Sequence, residues 1–106
     1  NLTDLVIYDK YAIPQAMNAK RFDSLGITYL KGKLYVKETI PANTWTIIAR
    51  ISGLKLQHLC PIQVIVDFYT PDRVMASFIN VNGQIKVICN TGFAVGQIIY
   101  INAIFW

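Results

Sequence analysis

Residues 73–81 (RVMASFINV), the dipeptide Asn82-Gly83 and residues 84–89 (QIKVIC) decide the fold. The flanking runs are rich in β-branched and aromatic side chains, which suit a pleated surface. Asn-Gly between two such runs is the strongest short-range hairpin signal, because a type I′ turn needs φ > 0 at both central residues. A two-residue turn would set Phe78 opposite Val87 and Ala76 opposite Cys89 on a core face. Ile79 would then face Lys86, and Ser77 would face Ile88, on a half-apolar face. Beyond Thr91-Gly92 and Val95-Gly96, residues 97–106 (QIIYINAIFW) read as a final strand. Its sides are Ile99, Ile101, Ala103 and Phe105 against Ile98, Tyr100, Asn102, Ile104 and Trp106.

Working back from the hairpin, residues 62–69 (IQVIVDFY) form a strong strand, with Ile62, Val64, Val66 and Phe68 on an apolar face. Residues 44–51 (TWTIIARI) are another strand, turned by Ser52-Gly53 and preceded by the break Ile40-Pro41-Ala42-Asn43. Residues 34–39 (LYVKET) alternate as a half-buried strand does, and Lys31-Gly32-Lys33 reads as a turn. Residues 5–8 are a short strand, and 11–24 (YAIPQAMNAKRFDS) read as irregular, with at most one helical turn at 16–19. Strands at this spacing and no apolar period of 3.6 predict an all-β antiparallel barrel or sandwich. Its strongest strands lie in 44–106, and 1–43 is expected to be more irregular.

The chain's 106 residues make one domain. Hydrophobic residues are 54% of it and charged residues 15%, an apolar excess for a globular domain. No apolar run reaches the 18 residues of a membrane span, so the surplus points to subunit interfaces in an obligate oligomer. The abrupt start at Asn1 reads as a piece of a longer chain. Net charge is +4, with Lys10, Lys20, Arg21, Lys31, Lys33 and Lys37 as its basic cluster. That balance suits an anionic partner or, more plainly, solubility and guarded strand edges. Cys60 and Cys89 read as small buried apolar residues.

No residue pattern points to catalysis. His58, the one histidine, has no zinc-site spacing with Cys60 and Cys89. His58 and Cys60 share a strand face but lack an orienting third group for a thiolate–imidazole pair. Asp67 and Asp72 are the best carboxylate pair, and they flank one turn rather than a cleft. Neither a Gly-rich phosphate loop nor a nucleophile elbow is present. The expectation is no enzyme, no cofactor and no metal. What remains is a binding set of Trp45, His58, Asp67, Tyr69, Asp72 and Arg73. Sugars stack their apolar face on an aromatic ring, while carboxylate, imidazole and guanidinium groups bond the hydroxyls. The plainer readings are Trp45 in the core, Asp72 as a turn residue and Asp67–Arg73 as a cross-turn ion pair.

The break at Ile40-Pro41-Ala42-Asn43, the strand 62–69, the hairpin 78–87 (FINVNGQIKV) and the terminal strand ending at Trp106 resemble the receptor-binding head of tail-tip proteins from phages that infect lactococci. The resemblance implies a small antiparallel β-barrel or jelly-roll-like head, assembled as a homotrimer. Neck and shoulder segments upstream of Asn1 would join it to other baseplate or tail proteins. It implies a host cell-wall saccharide as ligand, bound near protomer boundaries by Trp, His, Asp and Arg. Its location would be the virion tail, assembled in the bacterial cytoplasm. Two rivals stand beside it. One is a ligand-free oligomerisation domain of a tail or capsid. The other is an OB-like nucleic-acid binder that stacks bases on Tyr11, Phe22, Tyr29 and Tyr35.

Overall fold

The computed structural model describes residues 6–8, 10–22, 24–66 and 74–105. The described chain is all-β, with nine strands: β1 (Val6–Tyr8), β2 (Ala12–Phe22), β3 (Ile27–Val36), β4 (Thr46–Ile51), β5 (Cys60–Pro61), β6 (Gln63–Val66), β7 (Met75–Ile79), β8 (Gln84–Cys89) and β9 (Ile98–Phe105). They form two antiparallel sheets, ordered β1-β4-β8-β7-β5 and β2-β3-β9-β6. One apolar cluster joins the two sheets, including Ile48, Ile85 and Val87 from the first and Leu30, Leu34, Ile99 and Ile101 from the second. Alternation supplies it directly in β9, where Ile99, Ile101, Ala103 and Phe105 are buried and Tyr100, Asn102 and Ile104 are exposed.

The β7–β8 hairpin exists, but its register is one residue away from the sequence expectation. Ile79 pairs with Ile85, Ser77 with Val87 and Met75 with Cys89 on the inner side. Phe78 pairs with Lys86 and Ala76 with Ile88 on the outer side, so Phe78 is not a core residue. The cause is Asn80. Its Oδ1 accepts the N–H groups of Asn82 and Gln84, each at 3.0 Å, and its Nδ2 donates to Gln84 Oε1 at 2.7 Å. Gly83 N–H donates to the Asn80 carbonyl at 2.9 Å. The loop is therefore Val81-Asn82-Gly83, a turn closed by a left-handed glycine at φ 81°, and not a type I′ pair. A Cβ at Gly83 would also lie 2.7 Å from the Ile51 carbonyl oxygen, so space and dihedral both demand glycine. Asn80→Ala would unpair two N–H donors and should cost about 1–2 kcal/mol, read as a lower urea midpoint at unchanged slope.

Two further expectations fail in the first half. Residues 12–22 are an 11-residue strand rather than irregular chain, and Lys31-Gly32-Lys33 runs through the middle of β3 rather than turning it. β2 and β3 are the two longest strands, paired from Phe22↔Ile27 to Ala12↔Val36, with a register shift between Pro14 and Ala16. Inside this pair Ala19, Leu30, Leu34 and Val36 supply a buried face that a reading by local turn signals misses. β4 carries a second irregularity. Between Ile47↔Lys86 and Ala49↔Ile85 the extra residue is Ile48, so Ile48 and Ala49 are both fully buried although adjacent. Cys60 and Cys89 are buried, as the sequence suggested, and no disulfide joins them.

Candidate functional site

The predicted binding set does not come together as one site among the described residues. Asp67, Tyr69, Asp72 and Arg73 lie outside them. Trp45 stands just before β4, reached through the turn at Ala42-Asn43, where Asn43 adopts a left-handed φ of 56°. It is 47% exposed, so it is not a core tryptophan. Its ring meets Phe78 edge-on, with centroids 4.9 Å apart and planes at 64°. The outward placement of Phe78, which follows from the Asn80 turn, is what makes this pair. Such an edge-to-face contact holds a ring in place while leaving part of it open. Lys10, Tyr11, Pro41, Thr44, Thr46 and Ile47 complete a groove of about 370 Å³ around Trp45. Lys10 Nζ sits 4.9 Å from the centre of the Tyr11 ring.

His58 is exposed in the connection between β4 and β5 and lines different cavities from Trp45. The two residues therefore serve separate surfaces. Among the described residues no group of three or more His, Cys, Asp or Glu could hold a metal ion.

A larger groove was not found from sequence. It crosses the outer face of β2, β3 and β9, has a volume of about 570 Å³, and is lined by Asn18, Tyr29, Lys31, Gly32, Lys33, Tyr100, Ile101 and Asn102. Register explains its composition. Asn18, Lys31, Asn102 and Gln63 form one row across four strands, Lys33 pairs with Tyr100, and Tyr29 pairs with both Lys20 and Ile104. Cross-strand neighbours on one face stand about 4.5–5.5 Å apart at Cβ, so rings, amides and ammonium groups here are in mutual reach. The signal was present in β3 (ITYLKGKLYV), where Tyr29, Lys31, Lys33 and Tyr35 alternate with Thr28, Leu30, Gly32, Leu34 and Val36. Reading Lys-Gly-Lys as a turn broke that alternation in two. Among the described residues no acidic side chain lines this groove or the Trp45 groove.

Comparison with protein-family models, with curated proteins and with solved structures returned no match.

Proposed function

We propose that this domain is a non-enzymatic receptor-binding head of a phage tail, assembled as a homotrimer, that attaches to host cell-wall saccharide through weak sites used many at a time. The observation that carries the reading is the open groove over β2, β3 and β9. Its tyrosines offer flat apolar faces to a pyranose ring, and its amides and ammonium groups offer donors and acceptors to hydroxyls. The Trp45 groove is a second surface of the same chemistry on the outer face of the other sheet. Tyr100 and Ile104 are large exposed apolar residues of the same sheet face, which suits a ligand or a neighbouring protomer at its margin. Weak polar sites of this kind gain their useful strength from avidity. The test is a panel of immobilised cell-wall saccharides, probed with protein whose mass has been fixed by light scattering. The expected result is a trimer that retains a subset of the panel. A monomer that retains none of it rejects the reading.

A second reading is favoured by one observation. Lys20, Lys31 and Lys33 share an exposed sheet face with Tyr29, Tyr35 and Tyr100, the arrangement of a stacking platform for single-stranded nucleic acid. Binding to oligo-dT that weakens steeply between 50 and 200 mM salt would favour it over the saccharide reading, following the counterion release expected of phosphate contacts.

A further inference from the structure

Asn82-Gly83 is the one Asn-Gly pair in the chain. Such a pair can modify itself, because the glycine has no side chain to keep its nitrogen off the asparagine amide. The Gly83 nitrogen attacks Asn82 Cγ, its proton passes to solvent, and ammonia leaves as a succinimide ring closes. Water then opens the ring. Cleaving the Cγ–N bond gives aspartate on an unchanged backbone. Cleaving the bond between the Asn82 carbonyl carbon and Gly83 N gives isoaspartate, whose backbone runs through the old side chain.

The structure both exposes this reaction and restrains it. Asn82 is exposed, so water reaches Cγ and ammonia can leave. Its Oδ1 lies 3.5 Å from Lys55 Nζ, so either product sets a carboxylate beside an ammonium. The attacking nitrogen, in contrast, is occupied. Gly83 is buried, and its N–H donates to the Asn80 carbonyl at 2.9 Å. The Gly83 carbonyl accepts the Ile51 N–H, also at 2.9 Å. On the other side, the Asn82 N–H is held by Asn80 Oδ1 at 3.0 Å. Ring closure must rotate the peptide unit between 82 and 83, which is anchored at both ends, and give up these bonds.

We infer that Asn82 is a site of spontaneous deamidation whose rate is set by Asn80: the intact turn restrains the Gly83 nitrogen, and loosening the turn releases the reaction. The consequence extends past the loop. The Val81 carbonyl accepts the Leu56 N–H at 2.9 Å, so Val81 and Gly83 together clamp the segment 51–56. Isoaspartate adds a backbone carbon between those two carbonyls and puts them out of step with Leu56 and Ile51. The clamp then opens on the segment that leads to His58 and Leu59. None of this depends on the saccharide reading.

The protein and a peptide of residues 78–87 (FINVNGQIKV) are incubated side by side at mildly alkaline pH. Peptide mapping follows the NH2-to-OH mass change at each asparagine. The expected result is conversion at Asn82 in the protein, about tenfold or more slower than in the peptide. The other asparagines, each followed by a residue with a side chain, should stay unchanged over the same time. Asn80→Ala should raise the rate in the folded protein about fivefold, because it frees the Asn82 and Gln84 N–H groups. Gly96→Ala is the control for lost stability. Gly96 lies in the β8–β9 connection, with φ 92° and open space at its Cβ position, so it perturbs the fold without touching the turn. It should leave the rate at the parent value. In the isoaspartyl form, hydrogen exchange at the Leu56 N–H should rise about tenfold, whereas Asn82→Asp, with the charge but not the extra carbon, should leave it unchanged. A parent protein that converts as fast as the peptide overturns the inference. So does Asn80→Ala that converts no faster than the parent, or equal acceleration by Asn80→Ala and Gly96→Ala, which would trace the reaction to global opening. Leu56 exchange unmoved by isoaspartate would remove the clamp. The parent-to-peptide ratio decides without any variant having to fold.

Discussion

Gly92→Ala is expected to destabilise the domain by about 4 kcal/mol, at the diagnostic end of single substitutions. Gly92 has φ 67°, where an added Cβ costs about 1–2 kcal/mol for dihedral reasons alone. The larger part is steric. A Cβ there would overlap the Ile40 carbonyl oxygen, with Ala42 N at 3.0 Å and Pro41 C at 3.2 Å, all of it backbone that cannot swing aside. The same carbonyl accepts the Phe93 N–H at 3.1 Å, while Ile40 N–H donates to the Phe93 carbonyl at 3.0 Å. Moving Ile40 therefore breaks a paired bridge and disturbs Phe93, the largest fully buried side chain among the described residues. The control is Gly53→Ala. Gly53 has φ 80° but open space around its Cβ position, so only the dihedral cost of about 1–2 kcal/mol should appear. Urea denaturation of both variants checks the difference. Equal midpoints would show that the Ile40–Phe93 bridge yields easily and that the close approach carries no energy.

Tyr100→Ala is expected to leave folding almost unchanged and to reduce attachment to susceptible cells by far more than it reduces binding of a soluble saccharide. Tyr100 is 39% exposed and points away from the core, so its stability cost should stay within about 0.5 kcal/mol. Removing the ring takes away a stacking face beside Lys33 in the β3–β9 groove. A loss of about 1.4 kcal/mol per site is about tenfold in affinity. In the proposed trimer, with three copies engaged at once, the loss multiplies towards about a thousandfold on a cell surface. Isothermal titration with a soluble fragment and a whole-cell attachment assay give the two numbers. Equal fold-changes in both would mean that the sites act singly. Parent-like attachment would mean that this groove is not where the ligand sits.

The sequence made the sheet content legible because β8 and β9 obey a two-residue period with turn residues at their ends. It failed where one residue acts at a distance. Asn82-Gly83 is a strong local signal, yet Asn80 captures two N–H groups and moves the pairing by one, which carries Phe78 from the core to the surface. β2 and β3 were hidden for the opposite reason. Pro14 and Lys31-Gly32-Lys33 look like breaks, and only their mutual pairing and the pairing of β3 with β9 make them strands. The site was legible as residue types, since Trp45 and His58 are both exposed. It was not legible as geometry, because which groove each joins depends on the order of strands in the two sheets.

Among the described residues β2 is an edge strand of its sheet, and its ladder is interrupted at Pro14–Ala16 and studded with Lys20 and Arg21 further along. An unbroken strand of that length at a rim would be a template for fibre growth. A proline without an N–H, a local misalignment and two positive charges deny an incoming chain a continuous run of partners. Many copies of this domain could thus be crowded side by side at high local concentration and remain separate bodies instead of zipping into amyloid.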